Sequence, residues 1–505
     1  MASHPEIERK YEVGTDTAVP DLSSVPGVAS IQPLAAVDLT AVYFDTADRA
    51  LVRSKIALRR RIGGYDDGWH VKLPAPEGRL ELQAPIAADA DAVPEAILDV
   101  VRSRVRDAPL LPIATLHTTR RPVLLNDAGG VARVEVVDDE VHATDHATGT
   151  LRAWREWEAE QVGDDPVASA RMLDAVEPAL LAAGAKHSRS ASKLAQALGA
   201  HDLGAPEPHL RGDPTADEVL RGLLSGLVER LHRDELALRD GGPEPVHHMR
   251  KTVRRLRSLL GLTQVTGEAG ERVRQDLQRT AAVLAEARDT AVAAASAARL
   301  LDAVEAEGRV VPGLEDARRR LVEQTAAGAE QARERALVAF RSPAHFRMLD
   351  ELEGLVLNPL TGPRARLRAS DVLPDLARRA GRKAARRIAT AEDLDLVTLH
   401  NIRKAARRAR YIVESLDEAA ALARAPHALR LARRAERLQD ALGAHRDLSV
   451  FAAELPFVSA RATADGENAF VYGVLAEQSA QQTERLLRRA VRAARRVQEA
   501  AARTR

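Results

Sequence analysis

Polar and apolar positions alternate in short runs over residues 1–160, and turn-forming clusters separate the runs: Gly63-Gly64, Asp66-Asp67-Gly68 and Asn126-Asp127-Ala128-Gly129-Gly130. A period of two puts successive side chains on opposite faces of a strand, and such clusters punctuate hairpins. The pattern predicts antiparallel strands with one helical interruption at Val93–Arg106, and helix again over Pro166–Ala200. Gly204–Pro214 is rich in Gly and Pro and reads as a linker. Beyond it, long Ala/Leu/Arg/Glu stretches recur with a 3.6-residue period and few strand formers, so this half is expected to be nearly all helix. The expected division is an α+β domain at 1–200, a linker at 201–214 and an all-α domain at 215–505.

The strands carry an unusual second face. Glu6, Glu8, Lys10 and Glu12 share one side of the first run. Arg59 and Arg61 share a face, as do His70 and Lys72 opposite Trp69 and Val71. Arg79, Glu81 and Gln83 oppose Leu80 and Leu82; Glu135 aligns with Asp139; Glu156, Glu158 and Glu160 oppose Trp157. One such strand is an ordinary sheet with a wet face. The whole set is better explained by a closed antiparallel barrel with a polar lumen. Paired carboxylates supply the oxygen ligands that Mg²⁺ or Mn²⁺ prefers, and Arg or Lys on other strands can hold phosphate oxygens. Acids and bases in one cavity suit a metal–triphosphate complex.

Composition narrows the picture. A chain of 505 residues is expected to form two or more domains. It has no cysteine, which excludes disulfides, thiolate metal sites and cysteine nucleophiles. No basic segment followed by an apolar stretch opens the chain, and no run of about 18 apolar residues occurs, so neither a signal peptide nor a membrane span is expected. The expected location is the cytoplasm. The net charge of +1 hides a split: residues 1–200 hold 22 basic against 30 acidic side chains, and the remainder 52 against 43. An acidic half suits metal cations, and a basic half suits polyanions.

The run Glu6-x-Glu8-x-Lys10 resembles the ExExK motif of the CYTH family, the triphosphate tunnel metalloenzymes. Further motifs follow in family order: Tyr43-Phe44-Asp45-Thr46, Leu58-Arg59-Arg60-Arg61, Val71-Lys72-Leu73-Pro74, Arg79-Leu80-Glu81, Thr119-Arg120, the EVVDD run, Arg155-Glu156-Trp157-Glu158 and Ser192-Lys193-Leu194. The resemblance covers residues 1–200 and implies an eight-stranded β-barrel tunnel that hydrolyses triphosphates with Mg²⁺ or Mn²⁺. It makes Glu6, Glu8 and Lys10 the catalytic motif. It makes Glu6, Glu8, Glu135, Asp139, Glu156 and Glu158 candidate metal ligands, and Lys10, Arg59, Arg61, Lys72, Arg120 and Lys193 candidate phosphate ligands. One metal is expected to orient the triphosphate and a second to activate water. A one-residue slip would exchange Asp139 for Asp138. Arg79 and Glu81 stay open between lumen ligands and an internal ion pair, and the general base is not assigned. GxxxxGK[ST], HExxH and GxSxG are all missing, which disfavours a P-loop, a zincin and an α/β-hydrolase.

The helical half contains a duplication. HHMRKTVRRLR, from His247 to Arg257, aligns without gaps with HNIRKAARRAR, from His400 to Arg410. Each copy is followed by a second element, LAEARD ending at Asp289 and LGAHRD ending at Asp447. Two pseudo-symmetric helical bundles are expected. On a helix His247, Arg250, Arg254 and Arg257 form one stripe, with Met249, Val253, Leu256 and Leu260 opposite. No acid interrupts either segment, so the stripes are read as phosphate-facing. Arg288-Asp289 and Arg446-Asp447 stay open between helix-end ion pairs and a binding role. Arg378–Arg387 and the C-terminal tail Arg485–Arg505 are basic too.

This repeat resembles the CHAD domain, a conserved-histidine helical domain associated with inorganic polyphosphate. The resemblance implies that His247, Arg250, Lys251, Arg254, Arg257, His400, Arg403, Lys404, Arg407, Arg410 and Arg446 bind polyphosphate. The combined expectation is an inorganic triphosphatase joined to a polyphosphate-binding domain, associated with polyphosphate granules. Alternatives are hydrolysis of thiamine or nucleoside triphosphate, ATP cyclisation in the same tunnel, and a non-catalytic polyphosphate scaffold. Nucleic acid is disfavoured, since aromatic residues are 3% of the chain and base-stacking platforms are scarce.

Overall fold

The computed structural model describes residues 2–75, 78–86, 92–190, 192–199, 212–308, 310–390, 396–418 and 426–502. The chain divides into two compact units, 1–207 and 208–505. Most of the expected 201–214 linker lies outside the described residues.

The first unit is built on strands β1 (Ala2–Glu6), β2 (Glu8–Val13), β3 (Ser30–Pro33), β4 (Val37–Asp45), β5 (Ala57–Ile62), β6 (Gly68–Pro74), β7 (Arg79–Ala84), β8 (Leu111–Asn126), β9 (Ala132–Asp145), β10 (Leu151–Gln161) and β11 (Lys186–His187). Helices α1 (Ala50–Arg53), α2 (Glu95–Val105), α3 (Pro166–Ala182) and α4 (Lys193–Ala197) lie between or after them. The sheet is antiparallel in the order β1-β7-β6-β5-β4-β8-β9-β10-β2-β11, with β3 on β8. The expected closed barrel of eight strands is thus corrected: there are eleven strands among the described residues, and the hydrogen-bonded order is open.

The physical reason lies at Ile7. Residues 2–13 read as one strand, but the segment changes partner there: β1 pairs with β7, whereas β2 pairs with β10. The remaining extra strands are short, β3 along β8 and β11 along β2. The two arms of the N-terminal segment therefore bring the far edges of the sheet together through the chain itself. Gly78, with φ +69°, opens the β7 side of this seam; a Cβ there would stand 2.1 Å from the Glu6 carbonyl oxygen. No side chain fits that approach.

The two faces of the strands meet different surroundings. On the outer face Tyr11, Val134, Val136, Trp157 and Ala159 pack against Leu173, Val176 and Leu180 of α3. The opposite face carries the charged alternation into the lumen, where Glu156, Glu158 and Asp139 are buried. One stretch of that inner face is apolar: Ala41, Tyr43, Ala114, Leu116, Val141 and Ala143 cluster with Leu194 and Ala197 of α4. The short helix α4 thus caps apolar lumen wall, and Ser192 caps its first turn by accepting from the Ala195 amide at 3.1 Å.

The second unit is helical: α5 (Ala216–Ala237), α6 (Pro243–Leu260), α7 (Thr263–Ala306), α8 (Leu314–Arg318), α9 (Gln324–Ala339), α10 (Pro343–Leu357), α11 (Ala369–Ala389), α12 (Leu396–Glu418), α13 (Pro426–Ala464) and α14 (Phe470–Ala502). Thr215 and Glu218 form a capping box on α5. Met249, Val253, Leu256 and Leu260 of α6 are fully buried, as the helical stripe requires. The second repeat has a core of its own, where Ile388 of α11, Ile402 and Ala406 of α12, Leu438 and Leu442 of α13 and Val497 of α14 meet, and the two repeats also share apolar contacts. Ile412, Val413 and Leu416 of α12 join the core formed by α5, α6, α7 and α10, and α7 joins α13 and α14 through Leu300, Leu301, Phe451 and Leu475. Buried Arg255 of α6 reaches Ser415 at 3.2 Å and Glu418 of α12, and Arg408 of α12 donates to the Gly261 carbonyl at 2.8 Å. These bonds bring the duplicated helices α6 and α12 side by side. No helix among the described residues is long and apolar enough to cross a membrane.

Candidate functional site

Strand register assembles the first cluster. β9 and β10 align Asp139 with Glu156 and Glu135 with Glu160. β8 places Arg120 opposite Asp139, and β2 places Lys10 opposite Glu158. On the other wall β5 and β6 align Arg59 with His70, and Lys72 stands opposite Glu81. Register also decides between the neighbouring aspartates. Asp139 is fully buried in the lumen, whereas Asp138 points to the other face and pairs with Arg155 at 2.7 Å.

Asp139, Glu156 and Glu158 each offer an oxygen within 4.8 Å of the others. The Lys193 ammonium stands among them, 3.0, 2.6 and 2.7 Å away. Arg120 grips Asp139 with two donors at 2.9 and 2.7 Å and reaches Glu158 at 3.0 Å. Lys10 bonds Glu8 at 2.9 Å and also Glu158, and Lys72 bonds Glu6. Burial opposes every one of these charges. For Lys10 the nearby Glu158, Glu8 and Glu156 outweigh it and hold the ammonium well above its usual range. The same contest, won by Lys10, Lys193 and Arg120, holds Glu158 well below the usual carboxylate range.

The fit to a divalent cation rests on two features. The donors are all carboxylate oxygens, the set hard cations take. In addition, Glu6 Oε2 is buried with no hydrogen-bond partner among the described residues, an acceptor still to be satisfied. Glu135 and Glu160 have less cationic company. Burial, Asp139 and Glu158 push Glu135 up despite Arg120. Burial, Glu6 and Glu8 push Glu160 up to about 8.

On the basic wall Tyr43 and Glu81 hold Arg59 up against its burial, whereas Arg61 is under the opposite strain. Burial together with Arg59 and Arg120 pushes Arg61 down to about 9, and the Nε atoms of Arg59 and Arg61 are buried without partners. Arg61 already pairs with Asp66 and Arg59 reaches Glu81, so it is the Nε donors that remain for an anion.

Two lumen residues, His70 and Tyr43, had not been given a role from sequence, and Glu81 had stayed open between a lumen ligand and an internal ion pair. His70 Nδ1 is 2.9 Å from Glu81 and its Nε2 is 2.9 Å from the Asp66 carbonyl. A carbonyl and a carboxylate both only accept, and burial together with Arg59 and Arg61 pushes His70 below its usual range, so the neutral imidazole donates to one of the two at a time. Glu81 is held low against its burial by the His70 hydrogen bond, Lys72 and Arg59. It is therefore part of an internal network that also reaches Arg59 at 3.5 Å. Tyr43 accepts from Arg59 at 3.4 Å. The signal was present for His70, which shares a face with Lys72, but pairing with Glu81 depends on register.

The second cluster is a cavity of about 160 Å³ in the helical unit. Helix α6 supplies Arg250, Arg254 and Arg257, and α12 supplies His400, Arg403, Lys404 and Arg407. Arg288 of α7 and Arg446 of α13 complete the charged lining, which contains no carboxylate. Burial and the neighbouring Arg254 and Arg403 push Arg407 down, and burial and Arg254 push Arg250 down to about 10. The Nε atoms of Arg250, Arg257 and Arg403 are buried without partners.

Three candidates from sequence stand outside this lining. His247 and Lys251 are exposed on α6, and Arg410 turns to Glu414 and Glu436, each at 2.6 Å. Glu414 follows Arg410 by four residues, so the acid that neutralises it was visible in the sequence, contrary to the expectation of an uninterrupted basic stripe. The Arg-Asp elements lie within α7 and α13 rather than at their ends. Arg288 crosses to Asp447 at 2.6 Å, an ion pair between helices, while Arg446 faces the cavity.

Comparison with known proteins divides the chain in the same way. The CYTH domain matches residues 4–191 and the CHAD domain residues 221–456. An uncharacterised protein of Mycobacterium tuberculosis is 38% identical over 96% of this chain and 94% of its own length. Among solved structures, the CHAD domain of the plant Ricinus communis is 25% identical, with 55% of this chain and 90% of that one covered at a TM-score of 0.42. The Hippeastrum protein HpAC1, whose description records a dominant triphosphatase activity, is 19% identical, with 38% of this chain and 95% of that one covered at a TM-score of 0.26.

Proposed function

From the premise that this chain belongs to the CYTH–CHAD proteins, we propose that its barrel hydrolyses inorganic tripolyphosphate or a short polyphosphate with Mg²⁺ or Mn²⁺, and that its helical unit binds polyphosphate. Members of the CYTH family act as triphosphatases or cyclases. The observation that carries the choice of a metal–triphosphate complex is the mixed lumen, in which the Asp139–Glu156–Glu158 cluster faces the Arg59, Arg61 and Arg120 guanidiniums. Carboxylates alone would call for a cation and guanidiniums alone for an anion.

A divalent ion held by Asp139, Glu156 and Glu158, with Glu6 and Glu8 at hand, would neutralise phosphate charge and polarise the phosphorus centre. The unpartnered Nε donors of Arg59 and Arg61 bind phosphate oxygens and stabilise charge gathering on the transferred group. Lys193, fixed at the start of α4, and Lys10 keep the carboxylates ionised until the ligand arrives. The apolar stretch capped by Leu194 and Ala197 keeps water from that part of the wall. The Tyr43 ring is buried in the apolar cluster with Ala41, Ala114 and Leu194, so it offers no open face for a base. This favours a substrate without a nucleobase.

The test is phosphate release from tripolyphosphate with Mg²⁺ or Mn²⁺, beside the Glu6→Gln/Glu8→Gln protein. Release that vanishes in that variant supports the triphosphatase. Turnover confined to thiamine or nucleoside triphosphates in a parallel panel would replace the substrate, and cyclic product from ATP would replace the reaction. Binding of the helical unit to polyphosphate, expected to hold the enzyme at polyphosphate granules, is tested by loss of that location in an Arg403→Gln/Arg407→Gln protein.

A further inference from the structure

The basic C-terminal tail has no part in the central cavity, and neither does the outer face of α13. Together they form a cleft of about 790 Å³ between α13 and α14, larger than the central cavity of about 160 Å³. Arg434 and Arg437 stand on the α13 side, and Arg489, Arg492 and Arg496 on the α14 side. The spacings are i, i+3 on one helix and i, i+3, i+7 on the other, so each wall presents a stripe rather than a scatter. Ala441, Ala444 and Ala493 line the space between the stripes and leave it open.

These arginines differ from others in the same unit. Arg288, Arg320 and Arg410 are each matched by carboxylates. Among the described residues none of the five cleft arginines forms an ion pair; the one bond given to them is from Arg434 to the Arg496 carbonyl at 2.9 Å. Asp440 and Glu499 also line the cleft but engage none of the five. Facing rows of guanidiniums repel each other unless an anion lies between them.

The cleft is separate from the central cavity. Ala444 lines the cleft and Arg446 lines the cavity. Two residues of helix turn the chain by about 200°, so the two sites occupy opposite sides of α13, roughly 10 Å of helix apart. Helix α11, in contact with both α13 and α14, adds Arg382, Lys383 and Arg386 around a further space of about 560 Å³.

We propose that the α13–α14 cleft is a second binding site for inorganic polyphosphate, so that a long chain engages the helical unit at two places. This rests on the reading that the unit binds polyphosphate at its central cavity. The cleft has no aromatic side chain in its walls, so it offers phosphate contacts without a platform for bases. A chain reaching both sites gains from the high local concentration of its second segment, whereas a short chain fills the sites independently.

The test uses the full-length protein and titration calorimetry with short-chain and long-chain polyphosphate. Wild type should bind short chains at two sites. Arg437→Gln/Arg489→Gln/Arg492→Gln should keep one site and lose about tenfold or more in long-chain affinity. Arg403→Gln/Arg407→Gln should likewise keep one, and the combined protein none. The Lys triple variant at the three cleft positions preserves charge and should retain most of the binding, which separates ligand contact from damage to the fold. Unchanged stoichiometry in the Gln cleft variant, with all binding lost in the cavity variant, overturns the second site and leaves the cavity standing. Binding lost in the cleft variant alone supports the cleft and sinks the cavity reading. Single-stranded DNA that binds the cleft more tightly than polyphosphate at equal salt overturns the ligand class.

Discussion

The two charged sites of this chain are built on opposite rules. In the barrel every buried base among Lys10, Lys72, Arg120 and Lys193 touches a carboxylate. In the helical cavity the charged side chains of the lining are all basic, with Arg288 paired to Asp447. Most of the shifts follow: carboxylates raise Lys10, Lys193 and Arg120 above their usual range, whereas burial beside other cations lowers Arg250, Arg403 and Arg407, and Arg61 of the first unit with them. A balanced site can accept an anion only together with a cation that takes over its carboxylates. An unbalanced site needs the anion alone. The comparison therefore predicts metal dependence for one unit and metal independence for the other.

The largest expected effect breaks the molecule along that line. Chelation of divalent ions, or Asp139→Asn with Glu158→Gln, should lower tripolyphosphate turnover by at least about 10²-fold. Polyphosphate binding measured on the same protein should not change. If chelation weakens that binding as well, the helical cavity uses bridging cations and the contrast fails.

The next effect is on stability, and its sign should differ between units. Arg120→Gln removes a bidentate partner from buried Asp139 and leaves Glu158 with less positive charge. The barrel should lose about 3 kcal/mol in denaturant unfolding, the usual cost of stranding a buried charge. Arg407→Gln removes one of several mutually repelling cations, so the ligand-free helical unit should melt at the same temperature or slightly higher. Its polyphosphate affinity should nonetheless fall about tenfold, the worth of one charge-assisted hydrogen bond. A lowered melting temperature for Arg407→Gln would mean that the guanidinium has a structural partner.

Much of this contrast was legible in the residues before any coordinates. Alternation in REWEAEQ forces Glu156 and Glu158 to one face and Trp157 to the other, and α3 covers the Trp157 face. Which side chains share a face therefore followed from period alone. What did not follow was anything set by register or by a change of partner. Asp139 is distinguished from Asp138 only by its alignment with Glu156, and the break at Ile7 exists because one segment serves two neighbours. The helical wheel gave α6 its stripe but not the neighbouring helix that would face it. Arg257 therefore lines the cavity, whereas its counterpart Arg410 is taken by Glu414 and Glu436. His70 and Glu81 paired for the same reason: the side-chain face was readable, the opposite strand was not.

A smaller effect sharpens the account of the basic wall. The hydrogen bond between His70 and Glu81 fixes the carboxylate that Arg59 approaches. His70→Gln keeps a donor but not the ring that holds it in place. It should reduce kcat by about tenfold, with KM for tripolyphosphate changed less, if Arg59 acts mainly on the transition state. A change confined to KM would place Arg59 in ground-state binding.

The smallest effect is a single proton, and its sign follows from the cavity. His400 is held below its usual pKa by burial, then by Lys404, Arg446, Arg403 and Arg407, with Arg250 and Arg254 on the facing helix. It is therefore neutral in the free protein at pH 7. A bound polyanion favours the imidazolium and raises the pKa of His400 in the complex. Binding then takes up a proton in the window between the free and bound values, and affinity rises as pH falls through it, by at most about tenfold per pH unit. Calorimetry in two buffers of different ionisation enthalpy measures the uptake directly. The His400→Gln protein supplies the control, because protons taken up by the polyphosphate itself remain in that variant and those taken up by His400 do not. Equal uptake in both proteins would mean that the imidazole does not meet the anion, and the cavity would then act through its Arg and Lys residues alone.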